Sequence, residues 1–78
     1  MKTLTVFTSE TCGPCQAVKP LLAGLGIPVR EIDIAKRPTL AALYGVSSVP
    51  AFVLLDGDAI LKNKLGLSTR EALADFIA

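Results

Sequence analysis

Thr3-Leu4-Thr5-Val6-Phe7-Thr8, then Ser9-Glu10-Thr11, then Cys12-Gly13-Pro14-Cys15: the reading of the whole chain turns on this run. An apolar, β-branched stretch gives way to three polar residues, and the only two cysteines follow at C-x-x-C spacing. Placed after a strand and at the start of a helix, such a pair reads as a dithiol that cycles with a disulfide. Two thiols can exchange two electrons with a disulfide on another protein. Nothing else in the sequence offers comparable chemistry.

The flanking pattern supports that placement. Leu4, Val6 and Phe7 suffice to bury both faces of a strand over Thr3 to Thr8. From Cys15 onward Val18, Leu21, Leu22 and Leu25 recur at helical spacing, with a kink expected at Pro20. Gly24, Gly26 and Pro28 end that helix. Val29 to Ile34 reads as a second strand. Pro38 can open a short helix with Leu40, Leu43 and Tyr44 on one face and Gly45 as its stop. Tyr44 is thereby a core residue, and Lys36-Arg37 a solvated loop pair.

Ala51 to Leu55 is a continuous apolar run, as in a central strand covered on both faces. Asp56-Gly57-Asp58 is a turn signal, and Ala59 to Lys64 returns as an edge strand guarded by Lys62 and Lys64. Ser68 with Glu71 predicts a capping box for a last helix that buries Leu73, Phe76 and Ile77. The order β-α-β-α-β-β-α implies an α/β fold, a four-stranded mixed sheet with helices on both faces. Residues 1–78 form one domain on this reading.

Composition narrows the function. Half of the 78 residues are hydrophobic (51%), which favours a packed core. Eight basic and seven acidic residues leave a net charge of +1 without clusters, an argument against nucleic acid or an anionic membrane as partner. The residues after Lys2 are too polar for a secretory signal, and Val49 to Leu55 is too short to span a bilayer. A cytoplasmic location is the expectation. There a cysteine pair is more often catalytic than structural, and a disulfide enclosing only Gly13 and Pro14 would constrain little of the chain. Tetrahedral zinc needs two more Cys or His ligands, so no metal is expected within one chain.

Chemistry follows from the spacing. With Cys12 as N-cap, its sulfur faces the unpaired N–H groups of the first helical turn, including that of Cys15. Those donors and the helix dipole favour the thiolate, the attacking species. Cys15, one turn in, is the natural resolving thiol. Gly13 lets a partner's backbone pass close, and Pro14 stiffens the loop where its missing N–H costs little.

On these residues the chain resembles the thioredoxin family, in a small, glutaredoxin-sized form, from about Thr3 to the C-terminus. Cys12-Gly13-Pro14-Cys15 is the motif associated with thioredoxins, and Pro20 matches the kink proline of their active-site helix. Tyr44-Gly45-Val46-Ser47-Ser48-Val49-Pro50 is similar to the segment leading to the family's cis-proline. The resemblance therefore implies a minimal thioredoxin fold, a cis Pro50 packed on the dithiol, a Val49 backbone that pairs with substrate, and Gly66 near the site. It also implies a protein disulfide oxidoreductase with no bound cofactor beyond the redox-active Cys12–Cys15 disulfide. Its partners would be oxidised proteins and a flavoprotein thioredoxin-type reductase.

Departures from the family pattern are specific. Thr11 stands where thioredoxins usually carry Trp, Val6 where many bury an Asp, and Val29 where they often place a Lys. Glu10 is a solvated loop charge. With Pro14 in the loop and no cation beside the motif, the dithiol is expected to be a reductant. A monomer is the separate expectation for its assembly. Two other readings remain at this stage. One is a glutathione-dependent glutaredoxin, favoured by Ser48-Val49-Pro50 but lacking a Gly-Gly pair followed by Asp after the hairpin. The other is a non-enzymatic binding module, since fold alone does not fix function.

Overall fold

The computed structural model describes residues 1–78. Strand β1 (Lys2–Thr8) leads to helix α1 (Gly13–Leu22), β2 (Val29–Asp33), α2 (Pro38–Leu43), β3 (Ala51–Asp56), β4 (Ala59–Leu65) and α3 (Arg70–Ile77). The sheet order is β2-β1-β3-β4, with β1 parallel to β2 and antiparallel to β3, and β3 antiparallel to β4. The two central strands are the two apolar runs read from the sequence. Both are covered on both faces: β3 is apolar from Ala51 to Leu55, whereas β1 alternates through Thr3-Leu4-Thr5-Val6 and buries Thr5 beside its apolar neighbours.

Alternation still decides which face each side chain serves. Leu4, Val6, Phe52 and Leu54 point to one side and pack with Val18 and Leu22 of α1 and Leu73 and Phe76 of α3. Phe7, Val53 and Leu55 point to the other and pack with Ile32 and with Ala41 of α2. Tyr44, just past α2, sets its ring 5.5 Å from that of Phe7, centroid to centroid, and packs against this cluster, half-buried rather than fully enclosed.

Helix α2 does not bury the face the sequence suggested. Ala41 is its buried residue, Leu40 is half-buried, and Leu43 is 75% exposed. A six-residue helix has fewer than two turns, too few for spacing alone to fix its rotation against the sheet. Its end is as predicted: Gly45 has φ 68°, the Val46 N–H donates to Ala41 O (2.8 Å) and the Gly45 N–H to Ala42 O (3.1 Å). This is a Schellman stop, and it turns the chain toward Pro50.

The last helix corrects a second expectation. Its N-cap is Thr69, in extended conformation, whose hydroxyl accepts from the Ala72 N–H at 3.0 Å. Ser68 and Glu71 therefore do not form a capping box; the cap lies one residue later and Glu71 serves only as a first-turn acid. Thr69→Ala is expected to cost about 1 kcal/mol. A calorimetric Tm lower by roughly 4–8 °C checks it.

At the other end of α3, Lys62 donates to Phe76 O (3.0 Å) and Lys2 to Ile77 O (3.4 Å), cations at a helix C-terminus. Lys62 thus serves both the sheet edge and the helix end. At the β3–β4 turn, the Met1 ammonium donates to Asp56 Oδ1 (2.6 Å), and that hydrogen bond with its charge holds the carboxyl below the usual range.

Candidate active site

Strand β1 ends at Thr8 and α1 begins at Gly13, so four residues make the turn that delivers both sulfurs. Ser9 organises it. Its carbonyl accepts from the Cys12 N–H (3.1 Å) and from the Gln16 side-chain amide (3.4 Å). Its hydroxyl accepts from the Thr11 N–H (3.4 Å) and lies 3.1 Å from the Thr11 hydroxyl. The signal for this short Ser/Thr turn is local, the Ser9-x-Thr11 spacing of two hydroxyl residues.

Cys12 is the N-cap of α1, with φ −91° and ψ 110°. Its extended backbone carries the side chain over the first turn, where the Cys15 N–H donates to Cys12 Sγ at 3.1 Å. The two sulfurs form a disulfide across Cα atoms 5.2 Å apart. Pro14 occupies the first turn, where no N–H is required. Pro20 lies inside α1 and withholds the N–H that would meet the Gln16 carbonyl. The cysteines differ in access: Cys12 is partly exposed, whereas Cys15 is 0% exposed.

The loop from α2 to β3 approaches from the opposite side. Its Val49–Pro50 peptide is cis, and the Val49 carbonyl oxygen lies 3.8 Å from Cys12 Sγ. Neither the N–H nor the carbonyl of Val49 has a backbone partner, while the next carbonyl, Pro50 O, accepts from the Gly66 N–H at 3.2 Å. A cleft of about 140 Å³ runs beside the disulfide, lined by Pro14, Ala17, Val18, Pro50, Gly66, Leu67 and Ser68. Residues far apart in sequence, Pro14, Pro50 and Gly66, meet there. Gly66 has φ 70°, which favours glycine, and a Cβ on it or on Gly13 would meet open space rather than the protein.

A larger hollow of about 390 Å³ lies along β2, lined by seven charged residues with Thr8 and Ile32. It is lined by no residue of the Cys12–Cys15 motif, whereas the smaller cleft is lined by Pro14 of that motif and by Pro50. The two lysines of the larger hollow pair with its carboxylates, Lys19 with Glu31 (3.9 Å) and Lys36 with Glu10 (3.7 Å). The chemistry belongs to the smaller cleft. Lys36 is 73% exposed, a solvated charge as expected, but its partner Glu10 was not legible from sequence.

Two of the three positions that depart from the family pattern, Val6 and Val29, lie in apolar surroundings, while the third, Thr11, is exposed. Val6 is 0% exposed inside the core, and Val29 is partly buried against it. The only buried polar residues are Thr5 and Thr8. No ionisable side chain is therefore buried near the resolving cysteine.

A family model described as Thioredoxin matches residues 1–78. This chain belongs to the thioredoxin family. It is 31% identical to a thioredoxin of Buchnera aphidicola subsp. Schizaphis graminum over an 80-residue alignment that covers 95% of this chain and 74% of that one. It is 28% identical to a thioredoxin of Bacillus subtilis, covering 95% and 77%. Among solved structures, a mutant thioredoxin from Halobacterium salinarum NRC-1 matches with a TM-score of 0.91 at 34% identity, over 97% of this chain and 71% of that chain. With a disulfide at C-x-x-C spacing on a thioredoxin fold, the chain is a thiol–disulfide oxidoreductase. No helix is long and apolar enough to cross a membrane.

Proposed function

We propose that this thioredoxin-family domain, residues 1–78, works mainly as a reductant, donating electrons to oxidised proteins with Cys12 as nucleophile and Cys15 as resolving thiol. The observation that carries the reading is the asymmetry of the pair. Cys12 is reachable and its sulfur takes a hydrogen bond from the first turn of a helix, while Cys15 is fully buried one turn away.

In the reduced protein the same N–H and the helix end favour the Cys12 thiolate. It attacks one sulfur of a partner disulfide and expels the other as a thiolate, which takes up a proton. Cys15 then attacks Cys12 Sγ, closing the internal disulfide, and its proton passes to the departing partner thiol. Two electrons move to the partner. A flavoprotein thioredoxin-type reductase is the source that restores the dithiol. Such a cycle suits a reducing compartment, the cytoplasm being the expected one.

Val49, Pro50 and Gly66, with Gly13 and Pro14, are the residues we assign to docking. The unpaired N–H and carbonyl of Val49 suit an extended partner strand laid across the disulfide. No cation beside Cys12 strengthens its thiolate further, which keeps the couple reducing.

An insulin-type disulfide assay tests the reading with two electron sources, NADPH with a thioredoxin-type reductase, and NADPH with glutathione and its reductase. Turnover with the first and a potential on the reducing side of about −200 mV are expected. Preference for glutathione, or a potential near the −120 mV region of the strong oxidants, reverses the assignment.

A further inference from the structure

None of the residues lining the cleft beside the disulfide is charged, and the stretches that supply them, residues 11–18, 44–55 and 65–69, contain no Asp, Glu, Lys or Arg. All the charges of the chain lie outside them. The nearest along the chain are Glu10, Lys19, Asp56, Lys64 and Arg70, of which Asp56 closes the far end of β3 and is paired with the Met1 ammonium. Glu10 is paired with Lys36 and Lys19 with Glu31, so the flank next to Cys12 carries little net field. In place of charges the rim offers hydroxyls: Thr11, Ser48 and Ser68 are all exposed, while Ser47 turns to a separate hollow that it shares with Lys64. Thr11 is held in place by the Ser9 hydroxyl at 3.1 Å.

We propose that this neutral, hydroxyl-bearing rim selects oxidised partners whose disulfide lies in an uncharged extended segment, and that charge plays no part in steering the encounter. The inference rests on the docking reading above and adds the chemistry of what docks. A charged side chain next to the partner's cysteine must shed water against a surface that supplies no counter-ion, a cost borne by either sign. An uncharged neighbour finds hydroxyls and the free Val49 backbone groups instead. Small anionic disulfides such as oxidised glutathione are disfavoured for the same reason, because no cation lines the cleft beside the disulfide to receive their carboxylates.

The test uses the reduced protein and three extended peptides, each carrying one cysteine disulfide-linked to a chromogenic thiol. They differ only in the residues flanking that cysteine: serine, glutamate or lysine. Stopped-flow rate constants are measured at about 20 mM and about 500 mM salt, which spans strong and weak screening. The serine peptide is expected to react about fivefold faster than either charged one, with its rate changing less than about twofold with salt. Ser48→Lys is expected to make the glutamate peptide the best substrate at low salt and to lose that advantage at high salt.

A wild-type preference for glutamate or lysine overturns the proposal, as does a steep salt dependence confined to one sign. So does a Ser48→Lys variant with unchanged ranking. Failure to reduce any of the three peptides sinks the docking reading itself, a result distinguishable from reduction with the wrong charge preference.

Discussion

Cys15→Ser is expected to stop turnover and leave the protein covalently joined to its substrate through Cys12. The first attack needs only the accessible Cys12 sulfur, which the Cys15 backbone N–H still supports after the side chain is changed. The second needs a thiol held one helical turn away. Intramolecular attack from such a position is worth a large effective concentration. External thiol at millimolar levels replaces it poorly, so a loss on the order of a hundredfold or more follows. Intact-mass measurement should find protein plus substrate. Cys12→Ser should give no adduct, since Cys15 is wholly enclosed. Adducts on Cys15 would reverse the assignment of roles.

Phe52→Ala is expected to bring the fold close to collapse, while Leu43→Ala is expected to be nearly silent. Phe52 is 0% exposed on a central strand, opposite Val6 across the β1–β3 pairing, and belongs to the cluster that joins α1 and α3 to the sheet. Removing a buried Phe side chain costs about 3–5 kcal/mol. Folded domains hold only about 5–15 kcal/mol in all, and 78 residues put this one at the small end. Leu43 is 75% exposed and should stay within about 0.5 kcal/mol. Urea titrations of the two oxidised variants measure both. Equal effects would mean that α2 sits on the sheet with its other face.

That pair of variants also separates what local pattern reveals from what packing decides. The apolar run Ala51–Leu55, and Leu4, Val6 and Phe7 within β1, were legible because covering a strand on both faces demands them. The N-cap position of Cys12 was legible because strand, loop and C-x-x-C follow one another without a gap. The rotation of α2 was not, since six residues leave several faces open. The α3 cap moved from Ser68 to Thr69 because adjacent hydroxyl residues offer equivalent local chemistry, and only the docked helix selects between them. Ser9 escaped notice for a similar reason: its importance lies in what its carbonyl and hydroxyl meet across the turn.

From the amino acids in order came the dithiol, its helix-tip placement, the succession of elements and the scarcity of charge around residues 11–18. These are properties of neighbours in the chain, where backbone preference and periodicity act within a few residues. Tertiary structure alone decided that the Val49 carbonyl stands 3.8 Å from Cys12 Sγ, that Gly66 bonds to Pro50, and that one sulfur is reachable while the other is sealed. The reason is physical. Those relations join segments 37 and 16 residues apart, and they exist only once burial of two apolar clusters on opposite faces of the sheet has drawn the segments together.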